Sequence, residues 1–201
     1  MLSLQYRDPS IVQHARRVAA LSVGVAEQIG WDGRDHPGHT TRGTEGTLSA
    51  AVYHQMNGNE YSFFKSRLDV RRYIHLFYDR VLILRVAGEI TTHLSDDVIP
   101  FYYLSEIGHR STVRGFDRGR FRDKDSALAS IEYRWPIWKL MDGLLFVDTG
   151  QVANDIYREF DRSDLQWSWG GGVRLWGSDG MTAKLEVGRS SDGTRIHFVM
   201  F

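Results

Sequence analysis

Asp32, Asp35, His36 and His39 stand within eight residues of one another. Imidazole nitrogens and carboxylate oxygens at that spacing can ligate a divalent cation. The stretch around them, Gly30–Gly46, is also rich in Gly, Thr and charge and reads as a solvated loop, so neither a metal nor a cofactor is expected. Glu132 and Asp148 could form a carboxylate pair for acid–base work. Both lie among arginines, which favours structural ion pairing instead. The run Arg110–Arg122 interleaves basic residues with Phe116 and Phe121, a pattern that suits single-stranded nucleic acid. Asp117, Asp123 and Asp125 answer those charges, so no nucleic-acid partner is expected. There is no Gly-x-Ser-x-Gly elbow and no Walker loop, and Gly170-Gly171-Gly172 sits inside an extended run rather than before a helix. The chain has no Cys, which excludes thiol nucleophiles, thiolate zinc sites, iron–sulfur sites and disulfides. No catalytic residue is assigned, and the protein is expected not to be an enzyme.

The elements that carry these residues are extended. The chain has 201 residues, with 25 basic residues balancing 25 acidic ones, so there is no bulk field to attract an anionic partner. The longest apolar-and-small run, Val18–Ala26, falls far short of the roughly 20 residues of a spanning helix. With Arg16 and Arg17 before it, that run could be a weak export signal. Asp8 and the alternation of its residues favour a strand instead. Period-two patterning predicts strands over Arg17–Gln28, Thr47–Gln55, Tyr61–Ile74, Arg80–Thr92, Ser126–Trp135 (ended by Pro136), Gly143–Gln151, Leu165–Trp176, Met181–Arg189 and Thr194–Phe201. Asn57-Gly58-Asn59 is a hairpin turn signal, and a long interruption runs from Asp96 to Lys124.

Successive side chains of a strand point to opposite faces. In the strand ending at Trp135, Ala127, Ala129, Ile131, Tyr133 and Trp135 share one face, while Ser130, Glu132 and Arg134 share the other. In the third strand Lys65, Arg67, Asp69, Arg71 and Tyr73 oppose Phe64, Leu68, Val70 and Ile74. Such charged faces are too costly for a dry core. They face water, and the apolar faces meet either lipid or a second layer. A membrane β-barrel satisfies both demands, and so does a half-exposed soluble sheet such as a β-sandwich or a lipocalin-like binder. Eight or nine strands of this length fit the roughly 9–11 residues of a tilted spanning strand. Phe198 and Phe201 give the last strand an aromatic end.

Three blocks occur in order. The first is Trp31-Asp32-Gly33-Arg34-Asp35-His36-Pro37 with Thr41-Arg42-Gly43. The second is Val113-Arg114-Gly115-Phe116 within the long interruption. The third is Phe146-Val147-Asp148-Thr149-Gly150. Together with the aromatic C-terminus they resemble the C-terminal barrel of the bacterial outer-membrane assembly-factor superfamily. That group includes BamA-like and TamA-like proteins, two-partner-secretion transporters and bacterial surface antigens. The resemblance covers residues 17–201 and leaves 1–16 as an unassigned N-terminal segment. It implies an all-β fold: a transmembrane antiparallel barrel whose long loop folds back into the lumen. It further implies that Arg114 pairs with Asp148, with Gly115 allowing a tight turn and Phe116 packing beside it; Phe146 and Gly150 belong to the same wall strand. Asp32, Arg34, Asp35 and Gly43 form the matching hairpin block.

The sequence departs from the family where paired Gly usually opens the loop: Gly108 is followed by His109. It also departs in length, since family barrels have sixteen strands and this chain supplies about nine. Three explanations stand open. The chain is the C-terminal half of a larger barrel, or a short member closing with eight strands and its first segment outside the wall, or one of several copies pairing open edges. The resemblance implies insertion or translocation of proteins at an outer membrane. The implied partners are membrane lipid, client outer-membrane or secreted proteins, and a homo-oligomer through open strand edges. A passive barrel that anchors or conducts is the alternative.

Overall fold

The computed structural model describes residues 22–36, 38–55, 61–94, 99–177 and 180–200. The N-terminal segment, the start of the Val18–Ala26 run, the Asn57-Gly58-Asn59 turn and Phe201 lie outside the described residues. Nine long strands make one antiparallel sheet: β1 (Ser22–Asp32), β2 (Gly43–Gln55), β3 (Ser62–His75), β4 (Val81–His93), β7 (Asp125–Trp138), β8 (Met141–Ala153), β9 (Gln166–Gly177), β10 (Gly180–Ser190) and β11 (Gly193–Met200). Each pairs with its neighbour in chain order. The segment between β4 and β7 carries a 3-10 turn at Phe101–Tyr103 and a small hairpin of its own, β5 (Ser105–Ile107) with β6 (Phe121–Asp123). β1 and β11 are the two edges, and the sheet does not close on itself. β1 lies in the wall, paired with β2 from Ser22 to Asp32, so the arrangement with the first segment outside an eight-stranded wall is not the one adopted.

Three strand limits differ from the sequence expectation by more than two residues. β2 begins at Gly43 rather than Thr47, and β1 runs on to Asp32, so the loop between them shrinks to 33–42. Pro136 does not end its strand: β7 continues to Trp138 through a register shift between Pro136 and Trp138. A bulge is where a strand tolerates a residue with no N–H to donate.

The two faces separate as the alternation requires. On the outer face Val86 is 61% exposed, Leu145 55% and Phe198 64%, with Leu68, Ile131, Val147, Val187 and Ile196 also open. A soluble sheet would place this continuous apolar face in water, whereas hydrocarbon removes that cost. Exposed aromatics flank the aliphatic band: Phe77, Tyr78 and Trp138 at the end carrying the β3–β4 and β7–β8 turns, and Tyr157, Phe160 and Trp167 at the other. Aromatic rings prefer such interfacial levels. The inner face is polar and carries the folded-back segment 99–124.

Candidate functional site

The segment that leaves β4 is fastened to the wall in two places. At its start, Ile99, Tyr61 and Phe63 are buried together, with Tyr53, Tyr103 and Leu104 packed against them. The Tyr103 ring lies 4.8 Å from Tyr53 and 5.1 Å from Phe63, and its carbonyl accepts a hydrogen bond from Lys65 Nζ at 2.9 Å. Further on, Val113 and Phe116 are fully buried with Ile107, Ala87 and Leu128, and Phe121 meets Phe116 edge-on at 5.0 Å. These apolar contacts set Arg114 down on the inner wall.

Arg114 reaches acceptors on three strands, β7, β8 and β10. Its Nε donates to Asp148 Oδ2 and its Nη2 to Asp148 Oδ1, both at 2.8 Å, a bidentate fork. Its backbone N–H donates to the same Oδ2 at 3.1 Å. Nη1 donates to Glu132 Oε2 and Glu186 Oε1, both at 2.7 Å. The guanidinium carbon lies 3.5 Å from the centroid of the Phe146 ring, a cation–π contact. Ser130 Oγ donates to Asp148 Oδ1 at 2.6 Å. Asp148 is 0% exposed, so its charge depends wholly on these donors. The strand register explains the convergence: Ser130, Asp148 and Ser168 face one another across β7, β8 and β9, and Glu132 and Phe146 face each other one step along. Lys184 on β10 donates to Glu186 Oε1 at 2.8 Å and shares that carboxylate with Arg114.

Gly115 is required where it stands. A Cβ there would lie 2.7 Å from Ser168 Cβ and 2.8 Å from Ser190 Cβ, closer than packed carbons approach. Its carbonyl accepts from Ser190 Oγ at 2.8 Å. His197 Nε2 on β11 donates to the Arg114 carbonyl at 2.7 Å, which fixes the proton on that nitrogen. Arg195, also on β11, forks onto Asp117 at 2.6 and 2.7 Å, and Arg120 donates to Asp192 at 2.5 Å. The hydrogen bonds from Arg195 hold the Asp117 carboxyl below the usual carboxylate range. The segment is therefore bound to β7, β8 and both strands of the last hairpin. At its opening Gly108 takes φ +101° and His109 φ +155°, so His109 occupies backbone geometry that favours glycine.

The hairpin block between β1 and β2 forms a second constellation, separate from the first. Arg34 forks onto Asp32 at 2.9 and 2.7 Å and reaches Glu45 at 3.1 Å. Asp35 accepts from the Thr41 hydroxyl at 2.5 Å and from the His36 and Thr41 backbone N–H groups. Gly43 has φ +126°, and a side chain there would strike the Gly33 carbonyl. The turn so built reaches across the wall: the Thr40 carbonyl accepts from Arg134 Nη2 at 2.9 Å, and His39 stacks edge-on against Trp176 at 4.5 Å. Asp32 and Asp35 thus serve different partners, and no cluster able to hold a metal occurs among the described residues.

Arg114, Asp148, Phe146 and the Gly115–Phe116 turn, expected from the sequence to meet, lie together in the structure. Gly150 lies beside Val113 and Ile107 at the far end of the same wall strand. Phe198 lies on the outer face, away from the clamp. Glu186, Ser130, Lys184 and His197 join the site without having been expected there from the sequence. Alternation places Glu186 and Lys184 on one face of β10, but only the barrel curve brings that face to Arg114.

A family profile described as the Omp85 superfamily domain matches residues 9–179. No curated protein matches the chain. Among solved structures, the crystal structure of BamA from Haemophilus ducreyi lacking POTRA domains 1-3 superposes with a TM-score of 0.70 at 16% identity, covering 87% of this chain and 41% of that one. CdiB from Acinetobacter baumannii superposes with a TM-score of 0.59 at 15% identity, covering 88% and 32% respectively. The chain therefore spans less than half the length of either relative, and in fold it corresponds to part of their barrels. The open nine-stranded sheet, its lipid-type outer face and the profile match over most of the chain agree: this protein belongs to the Omp85 superfamily.

Proposed function

We propose that the chain forms part of an outer-membrane barrel wall that assists the insertion or translocation of other proteins at that membrane, with no bond made or broken. The observation that carries this reading is the Arg114 clamp, which ties one folded-back segment to β7, β8 and β10 and, through His197 and Arg195, to the edge strand β11. An edge strand held in shape from behind, with its free backbone groups turned sideways, can accept a client strand by β-augmentation. Unpaired edge groups are costly in hydrocarbon, so β1 and β11 are completed either by further strands of a longer wall or by a second copy. Arg114 and Asp148 act as braces of the edge in this reading, and clients are outer-membrane or secreted polypeptides.

The test is reconstitution of the full chain in lipid vesicles, followed by addition of a small outer-membrane barrel protein unfolded in urea. Its folding is read from heat-resistant gel mobility. Folding faster than in empty vesicles is expected, and Arg114→Ala should return the rate to the empty-vesicle value. A passive anchor or pore would give no acceleration with either form, and that result ends the proposal.

A further inference from the structure

Beside the clamp the inner face encloses a cavity of about 240 Å3, walled by β3, β4, β7, β8, β9 and β10 and bounded by the Arg110–Thr112 stretch of the folded-back segment. Its lining is strongly cationic, and most of the charges are already answered. Arg71 and Arg85 face Asp69, Lys184 faces Glu186, and Arg114 holds Asp148, Glu132 and Glu186. Arg110, Arg134 and Arg174 remain, with no carboxylate in ion-pairing range among the described residues.

Arg134 is the informative one. It is 5% exposed, and its Nη2 donates to the Thr40 carbonyl, yet its Nε has no acceptor. The acids nearest to it are engaged elsewhere: Glu132 by Arg114, and Asp142 by the Trp176 indole N–H at 2.6 Å and by His39. Among the described residues Arg174 meets the Met181 sulfur at 3.2 Å and the face of the Trp176 ring. Buried guanidinium groups persist when an anion completes their donors. Three forks around one cavity offer more donors than the two oxygens of a carboxylate accept, whereas a tetrahedral oxyanion can take them. Ser111 and Thr112 line the same space.

We infer that this cavity binds a phosphate-type oxyanion between Arg110, Arg134 and Arg174. The group arrives either as free phosphate or as the phosphate of a lipid headgroup. The full chain, folded in an uncharged, phosphate-free detergent, is melted in inorganic phosphate and in chloride at matched pH and ionic strength, which removes general screening from the comparison. A saturable rise of roughly 3 °C in Tm specific to phosphate is expected. Arg134→Gln should abolish it, and Arg174→Gln and Arg110→Gln should each cut it by about half or more. Arg72→Gln, on the outer face and bonded to Thr44, should keep it in full. If Arg134→Gln does not fold, the other two variants decide. Dihexanoyl phosphatidic acid supplies the second arm. Saturation at an about tenfold lower concentration than inorganic phosphate identifies a lipid source, and the reverse order a free anion, both upholding the site. A phosphate effect equal in Arg72→Gln, Arg110→Gln and Arg174→Gln, or no effect beyond chloride, overturns it.

Discussion

The folded-back segment is held at its start by rings and at its tip by charges, and the two anchors obey different physics. Around Tyr103 the contacts are mainly apolar area and ring packing, beside a hydrogen bond from Lys65 to its carbonyl, with Phe63 fully buried and Tyr53 stacked on it at 4.9 Å. Such packing is non-directional and tolerates a neighbour of similar volume. Around Arg114 every contact is directional, and Asp148 has no water to fall back on. A buried ion pair adds little net stability over an apolar equivalent, but breaking one side of it is severe. The rim anchor can therefore hold the segment in the lumen, whereas the clamp specifies its register against β7, β8 and β10.

Breaking the clamp should have the largest effect. Arg114→Ala leaves Asp148, Glu132 and Glu186 facing one another without their shared cation, and a loss of about 3–5 kcal/mol is expected in urea unfolding followed by Trp fluorescence. Arg114→Lys should recover little of this, because a point charge cannot reproduce the fork onto Asp148. At the rim, Phe63→Ala should cost about 3 kcal/mol, but Phe63→Leu less than about 1.5 kcal/mol. If Phe63→Leu proved as damaging as Arg114→Lys, the distinction between the anchors would fail. Gly115→Ala should cost about 1–3 kcal/mol, since its methyl must displace Ser168 or Ser190, and should speed trypsin cleavage at Arg110 and Arg118, which already face solvent.

The smallest effect sharpens the comparison by pH. Asp117 titrates lower in the folded protein than in the unfolded chain, so its tie to Arg195 is fully present above about pH 4 and is lost as the pH falls through the depressed value. Pepsin cleavage near Phe116, referred to an unfolded control at each pH, should rise on acidification in the parent chain and be already high throughout in Asp117→Asn. The ring cluster around Phe63 and Tyr53 is held mainly by apolar packing and should respond less.

Much of the fold could be read from the chain alone because a period of two needs no tertiary information. Ser130, Glu132 and Arg134 against Ala129, Ile131 and Tyr133 already separate a wet face from an apolar one. Pro136 misled for a physical reason: its missing N–H matters only where the partner strand expects a bond, and the bulge removes that demand. For the clamp, nothing in spacing distinguishes Arg114 from its neighbouring arginines. The family resemblance pointed to Asp148, while Glu186 and His197, 72 and 83 residues away, carried no local signal.

Composition and alternation were thus enough to determine nine extended segments, two chemically opposed faces and the absence of thiol chemistry, since each follows from local stereochemistry or from which atoms are present. Which charges meet was decided only by the tertiary structure. Strand register and sheet curvature place β7, β8, β10 and β11 around one folded-back tip, and electrostatic pairing acts through space at a few ångströms regardless of distance along the chain.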